Sequence, residues 1–127
     1  MPDESTVVRR RTTHFIGDVP WSIQVTYYPV NFVEAGATLL ISPRDIAEGA
    51  VEYLAEKLGL HERRYSDLIT VRTPDKNEIH FFKLSNEGRA GVFEIFRTTF
   101  DQNDEPVRVT ITVCPTERNQ FAVNGDM

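Results

Sequence analysis

The chain has 127 residues, enough for one domain, and with 40% hydrophobic residues, eight Phe and one Trp it can bury a real core. Its formal net charge of -5 argues against nucleic-acid binding by this chain alone, which needs a basic patch. A single Cys excludes an internal disulfide and a Cys-rich zinc site, and no apolar run reaches the roughly 20 residues of a membrane span.

Residues 1–6 are polar and read as a disordered lead-in, without the basic and apolar regions of a signal peptide. Val7 to Phe15 then reads as a strand with a basic centre. Arg9, Arg11 and Thr13 fall on one face, and Val8, Arg10 and Thr12 on the other. Such adjacent arginines are either a solvated edge, which discourages aggregation, or a guanidinium fork for a carboxylate or phosphate. Gly17-Asp18 supplies a turn, and Pro20 to Tyr28 is the returning strand, with Trp21, Ile23, Val25 and Tyr27 on its apolar face.

Asn31 to Thr38 reads as a short helical turn and loop. Ser42-Pro43-Arg44-Asp45 signals a helix start, followed by an apolar stripe of Ala47, Ala50, Val51, Leu54 and Leu58. Gly49 falls in the first turn and Gly59 fits the residue just past the end. Arg63 to Arg72 is a further strand, with Tyr65, Asp67, Ile69 and Val71 on one side. Thr73-Pro74-Asp75 opens a second helix, with Thr73 as cap, a body of Lys76 to Lys83, and Ile79 and Phe82 as core contacts.

Val92 to Phe100, a polar turn over residues 101–105, and Val107 to Cys114 form a hairpin with a longer loop. Val107, Val109, Ile111 and Val113 share one face; Arg108, Thr110, Thr112 and Cys114 share the other. Glu94 inside the first of these strands reads as solvent-facing or paired with Arg97, and Cys114 as a small packing residue. Gln120 to Val123 is a last short strand. The fold class is α+β: an antiparallel sheet of about six strands with helices packed on one face and a ligand pocket between the layers, formed by residues 7–124.

Phe96-Arg97-Thr98-Thr99-Phe100, the polar turn, Pro106-Val107-Arg108 and Pro115-Thr116-Glu117-Arg118-Asn119-Gln120-Phe121 together resemble the C-terminal half of a UTRA domain. Pro20, Tyr28 and Pro29 fit the spacing of its first half, so the resemblance covers residues from about Val7 to Val123. UTRA domains are the effector-binding domains of HutC-type bacterial transcription regulators in the GntR superfamily, with a fold shared with chorismate pyruvate-lyase.

The resemblance implies a site. Relatives that bind phosphorylated amino sugars use two arginines of the first strand, matched by Arg9 and Arg11. The helix N-terminus that family members bring to the effector corresponds to Glu48 and Gly49. A second-strand Glu is replaced by Gln24. A Glu and a Tyr of the penultimate strand are replaced by Arg108 and Cys114, with Thr110 on the same face. The anion-binding half is kept and the sugar-recognising half is not, which implies a small anionic effector, a carboxylate or phosphate.

No G-x-S-x-G, P-loop or G-x-G-x-x-G occurs, and the three His lack ligand spacing, so no catalytic residue, metal or cofactor is expected. The leading reading is a cytoplasmic effector sensor, a homodimer that controls an upstream winged helix-turn-helix absent from this chain. The alternatives are a chorismate lyase-like enzyme and a stand-alone dimerisation module.

Overall fold

The computed structural model of the chain describes residues 7–47, 49–84 and 91–116. Runs rich in Val, Ile, Thr and aromatics become five strands. They are β1 (Val7–Ile16), β2 (Val19–Pro29), β3 (Glu62–Arg72), β4 (Val92–Asp101) and β5 (Pro106–Pro115). The sheet order is β1-β2-β5-β4-β3, and every neighbouring pair is antiparallel. Among the described residues three helices decorate it: α1 (Asn31–Glu34), α2 (Ala50–Leu58) and α3 (Lys76–Phe82), with a 3-10 turn at Thr38–Ile41. The fold class is the expected one, with five strands among the described residues; the expected segment Gln120 to Val123 and the lead-in lie outside them.

The helices differ from expectation in placement, since they do not share one face. On one side, Val8 and Tyr28, which oppose each other across β1 and β2, pack with Leu40, Tyr53 and Leu54 beneath the α1–α2 segment. On the other, Ile23 and Val113 pack with Phe82, Leu84 and Val92 beneath α3. The expected apolar face of the first hairpin is only half-buried at Trp21, Val25 and Tyr27, while Thr26 and Tyr28 behind it are buried. On β5, likewise, Val113 is buried beneath α3 and Val107 in the cluster of Tyr28 and Leu54, while Val109 and Ile111 between them are half-exposed.

Local chemistry sets the helix ends. The Ser42-Pro43-Arg44-Asp45 stretch does not start α2; the helix begins at Ala50, with Gly49 as its N-cap at φ 83° and ψ 154°. Gly59 closes it in the left-handed region. In α3 the cap is Asp75, not Thr73: its side chain accepts from the Glu78 N–H while the Glu78 carboxylate accepts from the Asp75 N–H. Glu94 pairs with Arg72 rather than Arg97, because residues three apart on a strand point to opposite sides.

Candidate functional site

The face beneath α1–α2 carries most of the sheet's uncharged polar side chains. The register places Thr12 against Gln24 and Gln24 against Thr112. Arg10 stands against Thr26 and Thr26 against Thr110. These rows are tied by hydrogen bonds: the Gln24 Nε2 donates to Thr112 Oγ1 at 3.3 Å, and the Thr26 and Thr110 hydroxyls meet at 3.3 Å. Threonine suits this role, since its branched body fits the pleat while its hydroxyl stays available.

Three clefts run over this face and share walls. The central one, about 370 Å³, lies between Gln24, Thr26, Tyr28 and Arg108 of the sheet and Ile46 and Ala50 at the mouth of α2. A second, about 270 Å³, continues along the sheet past Gln24, Arg108, Thr110 and Thr112 to Arg97. A third, about 320 Å³, follows the β1 edge between Arg9, Arg10 and Arg11 and the Ser42–Asp45 stretch. The first-turn N–H groups of α2 have no intrahelical partner, so its opening beside the central cleft favours negative charge.

Among the described residues, three cations stand on the polar face in different states. Arg10 is committed to the backbone. Its Nη1 lies 3.1, 2.9 and 2.8 Å from the carbonyl oxygens of Leu39, Leu40 and Ser42, and its Nη2 donates to the Arg44 carbonyl at 3.0 Å. Arg108 donates through Nη2 to Glu62 Oε1 at 3.0 Å. Its Nε, and the Glu62 Oε2, are buried with no hydrogen-bond partner among the described residues. Buried polar atoms of this kind are rare and call for an explanation. Farther along, Arg97 forks onto both Asp67 oxygens at 2.8 and 2.9 Å, which holds its guanidinium more firmly charged than usual.

The structure gathers part of the expected site. Gln24, Arg108 and Thr110 share the groove, and Gly49 caps the helix beside it. Arg9 and Arg11 do not share that face. They oppose Tyr27 and Val25, so Arg10 is the arginine of the triplet that stands with Gln24 and Arg108. Cys114 is buried at the far end of β5, where burial pushes its thiol above the usual range. Glu48 lies outside the described residues.

Sequence reasoning passed over Tyr53, which is buried and accepts a hydrogen bond from the Leu39 N–H at 2.9 Å, and Glu62, the partner of Arg108. Tyr53 adjoins Leu54 in the helical stripe, a signal that was available. Glu62 shows no such signal, because its pairing spans 46 positions of sequence. No helix of the described residues is long and apolar enough to cross a membrane.

A family model described as "UTRA domain" matches residues 1–120. The HTH-type transcriptional regulator YurK of Bacillus subtilis, itself uncharacterized, is 24% identical over 130 residues. That alignment takes in 96% of this chain and 48% of the relative, so the chain spans about half the length of the curated protein it matches. Among solved structures, the C-terminal domain of YurK superposes with a TM-score of 0.75 at 24% identity, covering 93% of this chain and 77% of that one. A GntR-family regulator from Enterococcus faecalis V583 gives 0.78 at 15% identity, covering 98% and 85%. These likenesses establish the fold.

Proposed function

The chain belongs to the UTRA family, the effector-binding domains of GntR-type transcription regulators, and we propose that its effector is a small anion, a carboxylate or phosphate, received in the groove over β2 and β5. The observation that carries this reading is the buried Nε of Arg108, without a hydrogen-bond partner among the described residues, in a groove that also meets the opening of α2. A bound anion accepts from Arg108 and from the first-turn N–H groups, while Gln24, Thr110 and Thr112 supply orienting hydrogen bonds. Arg9 and Arg11, at the rim, add long-range attraction that salt screens.

The protein in this reading is a cytoplasmic homodimer that senses rather than catalyses, and it acts on DNA through a separate winged helix-turn-helix domain. Effector binding controls that domain only if the effector favours one of two arrangements of the dimer.

A thermal-shift screen of carboxylates and phosphates against their neutral amide and alcohol counterparts tests the reading. At about 100 times its dissociation constant, a ligand stabilises by about 2.7 kcal/mol, a rise on the order of 10 °C for a domain of this size. An anion is expected to give such a rise, to lose most of it in Arg108→Gln, and to keep most of it in the Arg9→Gln/Arg11→Gln variant. Stabilisation by neutral or cationic compounds alone would sink the anion assignment.

A further inference from the structure

The two edges of the sheet are treated differently. An edge strand presents unpaired N–H and C=O groups, and monomeric proteins guard such edges with charge, proline, bulges or a covering segment. The β1 edge is guarded twice: Arg9 and Arg11 are exposed along it, and Arg10 ties the segment 39–44 across it. The β3 edge has neither device at its centre. Leu68 is 65% exposed, Ile69 42% and Val71 63%, so apolar side chains stand open on both faces of an edge strand without a neighbour on its outer side among the described residues. Phe96, opposite Leu68 on β4, is 40% exposed and widens the apolar surface.

We propose that the outer edge of β3 is the surface on which a second copy of this chain docks, extending the five-stranded sheet antiparallel across a two-fold axis. This deepens the homodimer reading given above by naming its interface. An antiparallel strand edge is self-complementary under a two-fold axis, whereas a two-fold contact sets each charge near the axis against its own kind. A self-pairing edge therefore needs a neutral centre. Residues 66–71 contain one ionisable group, Asp67, and Arg97 already answers it with two hydrogen bonds. A foreign charged partner finds no complementary charge there; a second copy finds no repulsion.

The same reasoning fixes the register. With the axis at Ile69, each Ile69 faces its own copy, Leu68 faces the second copy's Thr70, and Asp67 faces the second copy's Val71. An axis at Leu68 sets Arg64 against Arg72, and an axis at Asp67 sets carboxylate against carboxylate. The pairing also adjoins the groove, because Arg97 borders its far cleft and grips Asp67 of the docking strand.

The test is sedimentation equilibrium of the full chain and of Leu68→Lys/Val71→Lys. Both side chains are largely exposed, so the substitutions leave the protomer's melting temperature within a few degrees. Self-association is expected to weaken at least tenfold. As a second measurement, Ile69→Cys is expected to form a covalent dimer under mild oxidation. Opposed residues of antiparallel strands sit about 4.5–5.5 Å apart at Cα, within the roughly 4.4–6.8 Å that disulfides take. The native Cys114 is buried and does not compete, and Thr13→Cys on the guarded edge should form no covalent dimer. A wild-type chain that is monomeric at 100 µM overturns both the interface and the dimer reading. A dimer untouched by the lysines, or an Ile69→Cys that does not cross-link, overturns the interface alone. Effector binding is read separately by thermal shift and survives either result.

Discussion

Arg10 sits between two equally basic neighbours, and only the fold distinguishes them. Alternation divides the triplet into Arg10 against Arg9 and Arg11, but it does not say which set turns toward the helices. Pairing decides that: Val8 opposes Tyr28 under the α1–α2 segment, and Arg10 follows two residues later on the same side. Its guanidinium then gathers the carbonyls of Leu39, Leu40, Ser42 and Arg44 at and just beyond the end of the 3-10 turn, where, among the described residues, only the Leu39 carbonyl also accepts a turn-closing N–H, from Ser42. Hydrogen bonds to a charged donor contribute about 1.5–3 kcal/mol each, and an abandoned part-buried acceptor costs extra. Arg10→Ala should therefore lower stability to urea by about 2–3 kcal/mol, whereas Arg9→Ala, on an exposed side chain, should change it by about 0.5 kcal/mol or less. Arg10→Lys should recover only part, because one ammonium cannot span carbonyls that a planar fork reaches together. Equal effects at positions 9 and 10 would contradict the clamp. The candidate site divides similarly. Alternation put Arg108 and Thr110 on one face of β5, and the family resemblance, not periodicity, singled them out with Gln24; that the three line one groove, and that Glu62 pairs with Arg108, depends on the sheet order.

Helices and strands differ in how far local chemistry determined them. The five strands lie within a few residues of where β-branched and aromatic runs place them. The start of α2 does not. Ser42-Pro43-Arg44-Asp45 has the composition of a cap, yet Arg10 holds the carbonyls of Ser42 and Arg44, and the helix waits until Gly49. At φ 83° and ψ 154°, Gly49 occupies a region that other residues essentially do not enter, at a cost of roughly 1–3 kcal/mol for a side chain forced there. A Cβ at this position would meet no atom within 4 Å, so the penalty is conformational and not steric. Gly49→Ala is expected to reduce stability by about 1–3 kcal/mol in denaturant titration while leaving the folded circular dichroism spectrum unchanged. A neutral or stabilising result would mean that the segment adopts another backbone path into α2. That same path sets the mouth of the helix beside the central cleft, so Gly49→Ala should also weaken any anion found by thermal shift.

At the scale of the whole molecule, the helix and the sheet edge are joined by charge as well as by the apolar contacts of α3. Arg72, at the end of β3, donates to both Glu78 oxygens at 2.7 Å and also pairs with Glu94 of β4, so one guanidinium links two strands and a helix start. The strand pattern was readable residue by residue; this junction was not, because it exists only once β3 and β4 are paired and α3 is folded back. The Glu78 side chain is largely buried, and the Arg72 hydrogen bonds, with a further one from the Asp75 N–H, hold its carboxyl below the usual range despite that burial. The unfolded chain, with an ordinary glutamate near pKa 4.3, binds protons more readily than the folded one, so stability rises with pH across the interval between the two values. The contribution is fully present above the unfolded value and is lost as pH falls through the folded one. Arg72 itself, pushed further up by the same carboxylates, stays charged throughout and adds no slope. Urea midpoints measured from pH 7 to pH 2.5 should hold steady to about pH 5 and then fall. Glu78→Gln should lower the midpoint at pH 7 and flatten the acid limb. An acid limb of unchanged steepness in Glu78→Gln would place the titrating group elsewhere and remove this junction from the account of the molecule's acid sensitivity.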